Sequence, residues 1–229
     1  MPKLQGVITG LLFFFCMSAY AQTGVTAEQV LNRYVEKTGG EKRWKSVHTT
    51  MFRGVVTLEN GDSIVFAVVK APNKYYIKTT TPDGVWATIY RSGVGVSVHS
   101  GKIDTIYDKQ KLDDLKLQSS ILPDMEYKKL MYKMELSGVQ KLDNIDYYEI
   151  KLISPNGSTT WNYYDKKTGL LRMINYENKS KATFPEYKEF NGCLYPDREL
   201  LKLPDGRVID MVLKGIMVNI PIDERLFNF

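Results

Sequence analysis

Closely spaced turn signals constrain the fold of this chain more than any other feature of its sequence. From Thr49 onward, runs of β-branched and aromatic residues are separated by short segments rich in Gly, Pro and Asn. The segments are Asn60-Gly61, Pro72-Asn73, Pro82-Asp83-Gly84, Ser100-Gly101, Pro155-Asn156-Gly157, Lys167-Thr168-Gly169, Asn191-Gly192 and Pro204-Asp205-Gly206. This pattern predicts about ten short antiparallel strands in a meander, and therefore a mainly β (α+β) fold.

Helical patterns precede this meander. Thr26 and Gln29 have the spacing of a capping box, and the apolar residues that follow predict a first helix from about Ala27 to Thr38. Gly39-Gly40 then supplies a stop signal. The segment from Glu41 to Val47 predicts a second short helical turn that leads into the sheet.

A helical insertion is also predicted in the middle of the sheet. From Lys109 to Lys129 the alternation of apolar and polar residues is lost, and leucines recur until Pro123. We expect this insertion to cover one sheet face.

The first 21 residues have the pattern of a cleavable signal peptide. Lys3 precedes an apolar stretch from Val7 to Ala19, and Ala19-Tyr20-Ala21 is an A-x-A cleavage site. The stretch is shorter than the roughly 20 residues that a bilayer-spanning helix needs. We therefore expect cleavage after Ala21, export to the periplasm, and a single mature domain at residues 22–229.

Several predicted strands are apolar on both faces. Ile64, Phe66 and Val68 share one face of a strand, while Val65 and Val69 share the other. Such a sheet needs a cover on each side, and a loose cover over one face would leave a cavity.

The sequence offers no evident site for catalysis, metal or cofactor binding. His48 and His99 are the two histidines, and neither has Cys, His or carboxylate partners at metal-ligand spacing. Asp113 and Asp114 lie among lysines, which favours solvated charge over acid–base chemistry. The 31 Lys and Arg are scattered and face 26 Asp and Glu, so the composition gives no indication of nucleic-acid binding. We predict a protein that is not an enzyme.

Aromatic residues are the one feature in excess, with 15 Tyr, nine Phe and three Trp. They can fill a β core or line an apolar pocket, and the sequence leaves both alternatives open. The candidate lining residues are Phe52, Phe66, Val68, Tyr75, Ile77, Trp86, Ile89, Trp161, Tyr163 and Met173.

Nearly the whole mature chain resembles the periplasmic lipoprotein-carrier superfamily, which includes the outer-membrane lipoprotein-sorting proteins. The resemblance is carried by four diffuse patterns rather than by a catalytic motif. These are Tyr34-Val35-Glu36-Lys37-Thr38-Gly39-Gly40 leading to Trp44 and Val47; Met134 to Val139 with Tyr147 to Leu152; Tyr163 to Leu171; and Phe190-Asn191-Gly192 to Tyr195-Pro196.

The resemblance implies a strongly curved antiparallel sheet that forms an incomplete barrel. Its concave face would be covered by the N-terminal helix and the mid-chain insertion, and its apolar hollow would receive acyl chains. Arg53 and Arg91 are candidates, by residue type alone, for polar contacts with such a cargo.

The leading hypothesis is thus a periplasmic, non-enzymatic carrier or binding protein for a lipid, an acylated protein or another apolar ligand. Transient contact with a membrane and with an envelope protein would accompany loading and release. The alternative is an envelope interaction or scaffold module without a cavity. A hydrolase is a third hypothesis, and it would depend on His48 or His99.

Overall fold

The structure is a computed structural model that describes residues 24–58, 61–81 and 83–229. The predicted signal peptide lies outside the described residues, as do Asn60 and Pro82 of two predicted turns. Within the described part of the chain, no helix is long and apolar enough to cross a membrane.

Antiparallel strands form most of the described chain. They are β1 (Thr50–Thr57), β2 (Ser63–Ala71), β3 (Lys74–Thr81), β4 (Gly84–Arg91), β5 (Val94–His99), β6 (Lys102–Ile106), β7 (Lys133–Leu142), β8 (Ile145–Ile153), β9 (Thr159–Asp165), β10 (Leu171–Tyr176), β11 (Lys181–Thr183), β12 (Tyr187–Phe190), β13 (Cys193–Pro196), β14 (Arg198–Lys202) and β15 (Val208–Val218). This count exceeds the predicted ten because several strands, such as β11, have only three to five residues.

Thirteen of these strands form one sheet in the described residues, in the order β6-β5-β4-β3-β2-β1-β15-β14-β11-β10-β9-β8-β7. Two meanders, β1–β6 and β7–β11, are therefore joined through the C-terminal strands β14 and β15. β6 and β7 end the sheet on opposite sides and do not pair with each other, so the curved sheet is an incomplete barrel, as predicted. β12 and β13 form a separate hairpin.

The helices before β7 agree with the sequence patterns, and a C-terminal one was not predicted. They are α1 (Ala27–Lys37), α2 (Glu41–Lys45), α3 (Lys109–Gln118), a 3-10 helix at Pro123–Met125 and a C-terminal 3-10 helix at Glu224–Phe227. The predicted capping box at the start of α1 is present, because the Thr26 side chain accepts from Gln29 N–H and the Gln29 side chain accepts from Thr26 N–H. The predicted mid-chain insertion consists of α3 and the 3-10 helix that follows it.

Two hydrophobic clusters lie on the concave face of the sheet. In the larger one, α1 packs Leu31 and Tyr34 against the second meander, where Ile150 and Tyr164 are fully buried. In the smaller one, α3 contributes Leu115 to residues of the first meander.

A third cluster covers part of the convex face. Val69, Ile89 and Val96 pack there against Phe227 of the C-terminal 3-10 helix. No sequence pattern predicts this second cover, although the apolar residues on both faces of β2 require one.

Candidate ligand cavity

A cavity of about 780 Å³ lies between the concave face and its helical cover. It is lined along β1, β2 and β3 by apolar side chains that include Phe52, Phe66, Val68 and Ile77. The volume falls within the roughly 300–1,000 Å³ typical of small-molecule sites.

Strand register places these residues side by side. Phe52 of β1 lies opposite Val68 of β2, and Val68 lies opposite Ile77 of β3. Directly opposed residues in neighbouring strands share a face of the sheet, so the three side chains form one row across the cavity wall. Phe66 continues the wall one pleat further along β2.

The remaining walls come from the second meander, the C-terminal strands and the cover. β10 contributes Ile174 and Tyr176, and β15 contributes Met211 and Leu213. The cover consists of Trp44 from α2 and the segment after α3, namely Ile121, Leu122 and Pro123.

The structure brings half of the predicted lining residues together at this cavity. Those that line it are Phe52, Phe66, Val68, Tyr75 and Ile77. Those that lie outside its lining are Trp86, Ile89, Trp161, Tyr163 and Met173.

The residues outside the lining differ mainly in which sheet face they occupy. Ile89 lies opposite Tyr76 and points to the convex cluster, away from the face shared by Tyr75 and Ile77. Trp161 and Tyr163 alternate with Asn162, which is opposite Ile174 on the concave face, so they occupy the convex face.

The remaining two residues depart from the cavity for local reasons. Met173 is paired with Tyr163 beyond a register shift in β10, and it shares the face of that residue. Trp86 lies opposite Thr79, a cavity residue, but its side chain is 47% exposed and stacks on the His99 ring at a centroid distance of 3.5 Å.

Neither arginine that was a candidate for polar contacts reaches the cavity. Arg53 is exposed and follows Phe52 in β1, so it occupies the opposite face. Arg91 is exposed at the end of β4, where its Nη1 donates to Asn228 Oδ1 at 3.1 Å.

Arg198 also lines the cavity but is paired with Asp210 at 2.8 Å, so the cation of the lining without an ion-pair partner in the described chain is Lys70. It ends the series Ile64, Phe66, Val68 on β2, and its Nζ lies 5.8 Å from the centroid of the Phe52 ring. Burial lowers the pKa of the Lys70 ammonium to about 8. Strand alternation alone could have indicated this residue, because Lys70 has the same parity as the apolar series.

Carboxyl groups also line the cavity. Burial raises the pKa of the Glu199 carboxyl to about 7. Burial likewise raises the pKa of the Asp124 carboxyl to about 6, outweighing the hydrogen bond that Tyr164 Oη donates to it at 2.5 Å. Glu199 shares the face of Met211, which it opposes across β14 and β15.

The geometry does not bring the histidines together as a catalytic pair. His48 donates its backbone N–H to Asn219 Oδ1, while His99 stacks on Trp86 at the other end of the first meander. Within residues 24–58, 61–81 and 83–229, no group of three or more His, Cys, Asp or Glu is arranged to hold a metal ion.

Solved structures of other proteins share this fold at low sequence identity. A DUF1329 family protein from Desulfovibrio piger matches with a TM-score of 0.64 at 13% identity, over 88% of this chain and 97% of that chain. A LolA superfamily protein from Nitrosomonas europaea matches with a TM-score of 0.63 at 12% identity, over 90% of this chain and 99% of that chain.

A third match is a Vibrio parahaemolyticus protein described as an outer membrane lipoprotein-sorting domain, with a TM-score of 0.61 at 11% identity, over 88% of this chain and 97% of that chain. No protein-family profile and no curated protein matches the sequence. The resemblance to the lipoprotein-carrier superfamily is confirmed at the level of the fold, which by itself assigns no ligand.

Proposed function

We propose that this chain is a periplasmic carrier or binding protein for a lipid, an acylated protein or another apolar ligand, and that it acts without chemistry. The cavity of about 780 Å³ carries this proposal, because its walls are mainly apolar and its interior is not filled by side chains of the chain itself. The signal-peptide pattern supports export, and the fold shared with a LolA superfamily protein supports a carrier role.

The hydrophobic effect supplies the driving force for binding. An acyl chain that leaves water for an apolar cavity gains about 0.8 kcal/mol per buried CH₂ group. Release would then require a membrane or an envelope protein that offers an equally apolar site. In this proposal residues 22–229 form the mature domain and need no cofactor.

Co-purified lipid provides the first test. The mature protein would be purified without detergent and extracted with organic solvent, and the extract would be analysed by mass spectrometry. We expect lipid at close to one molecule per chain, or saturable binding of the neutral fluorescent probe Nile red to the delipidated protein. Protein that carries no lipid and binds no probe would contradict the proposal and favour the scaffold alternative.

A cavity-filling variant tests whether the ligand occupies this cavity. Ile77→Trp places a large side chain in the lining, so we expect it to lower Nile red affinity by about tenfold or more while the fold is retained. Lys78→Trp is the matched control, because Lys78 is exposed on the opposite face of the same strand. Equal binding by both variants would place the ligand elsewhere.

A further inference from the structure

Two polar groups without partners, those of Lys70 and Tyr195, line the cavity at the end that α2 covers, and Thr50 is buried in the wall beside Lys70. Lys70 Nζ makes no hydrogen bond or ion pair with any described residue, and its one polar contact is with the face of the Phe52 ring. Thr50 Oγ1 and Tyr195 Oη are buried and have no hydrogen-bond partner in the described chain.

Strand register and ring contacts bring these groups together. Thr50 lies directly opposite Lys70 across β1 and β2, so both occupy the concave face. The Phe52 ring lies 5.8 Å from Lys70 Nζ and 5.8 Å, between centroids, from the Tyr195 ring. Tyr195 in turn packs edge-on against Trp44 of α2 at 5.1 Å.

The three groups can all donate hydrogen bonds. An ammonium is a donor only, and hydroxyls donate readily to an anionic oxygen. Buried polar groups in native proteins are nearly always satisfied, and a buried charge is normally paired. Tyr195 Oη is such a buried group, and the half-buried Lys70 ammonium lies near it, so one acceptor that carries negative charge would satisfy both.

The acidic groups of the cavity do not supply this acceptor. Asp124, Asp197 and Glu199 line the cavity, but none forms an ion pair with Lys70 within 4.0 Å. Glu199 belongs to β14, three strands along the sheet from β2. Because ionised carboxylates repel an anion, a bound anion is most favourable where it contacts the Lys70 ammonium directly.

We propose that the ligand is an amphiphile with an anionic head, a carboxylate or a phosphate, which accepts hydrogen bonds from Lys70 and Tyr195 while its acyl chain fills the apolar part of the cavity. This proposal rests on the carrier function above. β2 rises about 3.3 Å per residue, so the wall from Lys70 back to Ile64 provides roughly 20 Å of apolar surface for the chain.

Three ligands with the same tail test the proposal: hexadecanoate, hexadecyl phosphate and methyl hexadecanoate. Their affinities would be measured by displacement of Nile red from the delipidated mature protein at pH 7. We expect at least one anionic ligand to bind about tenfold or more tightly than the methyl ester, which keeps the carbonyl acceptor but lacks the charge. The stronger of the two anions identifies the head group.

Variants assign the preference to Lys70. Lys70→Met should bind the anionic ligands and the methyl ester with affinities within about threefold of each other, whereas Lys70→Arg should keep the preference. Lys78→Met, on the opposite face of β3, should behave like the wild-type protein. A preference that survives in Lys70→Met would overturn the proposal.

The outcomes also separate this proposal from the carrier function. Equal binding of all three ligands by the wild-type protein would overturn the anionic head and leave the carrier intact. Binding of none of them, together with no binding of Nile red, would overturn both.

Titration of Lys70 gives a readout that a purely structural role would not change. Burial lowers the pKa of this ammonium to about 8. An anion at Nζ favours the charged form, so NMR titration should show the Lys70 pKa rising when hexadecanoate is bound and not when the methyl ester is bound. An unchanged pKa with bound hexadecanoate would place the head group elsewhere.

Discussion

The part of the concave face under α1, around β8 and β9, is packed by side chains, whereas the part formed by β1–β3 faces a cavity that reaches across to β10. Both parts present apolar residues, as Ile150 on β8 and Ile77 on β3 illustrate. The difference lies in the covers. α1 buries five residues in its 11, while α3 buries only Leu115 in its 10. The cover, more than the composition of the strands, thus determines where this sheet is filled and where it can hold a guest.

Matched isoleucine truncations test this difference, and they carry the largest expected effect. Ile150 is 0% exposed in the packed part, so Ile150→Ala should create a new cavity and lower the free energy of unfolding by about 3–4 kcal/mol. Ile77→Ala enlarges a cavity that already exists, so we expect a loss of about 1 kcal/mol. Urea unfolding of the delipidated mature protein measures both values.

Equal losses of unfolding free energy in the two variants would contradict this difference between the two parts of the sheet. They would mean that the β1–β3 part is as tightly packed in solution as the α1 part. When lipid is bound, the losses of unfolding free energy in the two variants should become more similar, because an acyl chain would then contact Ile77 as side chains contact Ile150.

The ionisation of Glu199 tests whether the cavity excludes water. Burial raises the pKa of its carboxyl from 4.5 to about 7, so the folded state holds a proton that the unfolded state loses between these pH values. The stability contribution of Glu199 is therefore present below pH 4.5 and is lost as pH rises to 7. We expect Glu199→Gln to raise the free energy of unfolding at pH 7.5 on the order of 2 kcal/mol, and to change it little at pH 4.

The control for this titration is Glu135→Gln, at an exposed position of β7 outside the cavity. Stability curves from pH 4 to 8 should coincide for this variant and the wild-type protein. If the stability curve of Glu199→Gln also coincided with that of the wild-type protein, water would solvate the Glu199 carboxylate in the cavity, and the cavity would not be an apolar site.

Much of the fold could be predicted from sequence because its signals are local. The capping box at Thr26 and Gln29 defines the start of α1, and the turn signals separate the strands of both meanders. The loss of alternation after Lys109 likewise indicates where the sheet is interrupted. Each of these features depends on neighbours only a few residues away.

The choice of sheet face could not be predicted, because it depends on distant segments. Residues on both faces of β2 are apolar, so the sequence of β2 does not tell the concave face from the convex face. The C-terminal 3-10 helix makes this distinction, because its Phe227 covers Val69 on the convex face. Ile89, a candidate lining residue by sequence, packs with Phe227 on the convex face. Trp161 and Tyr163 are candidates of the same kind, but Tyr164, of the opposite parity, is the residue that packs against Tyr34 of α1.

The polar groups of the cavity were missed for a different reason. Arg53 and Arg91 were selected by residue type, and both are exposed. Lys70 continues the parity of Phe66 and Val68, but a lysine at a strand end is ordinarily solvated. Only the position of α2 and the β12–β13 hairpin over that end encloses it.

The N-caps of α1 and α3 provide the last comparison of the two helices that cover the sheet, and the expected effect on stability is the smallest. Thr26 Oγ1 accepts from Gln29 N–H at 3.2 Å at the start of α1, and Asp108 Oδ1 accepts from Lys111 N–H at 3.2 Å at the start of α3. Loss of such a cap destabilises a helix by about 1 kcal/mol.

Because α1 covers the packed part, Thr26→Ala should lower global stability by this amount. Asp108→Ala should instead speed amide exchange locally in α3, with a smaller change in the urea midpoint, since α3 adds little to the core. A global loss from Asp108→Ala as large as that from Thr26→Ala would mean that α3 is as integral to the fold as α1.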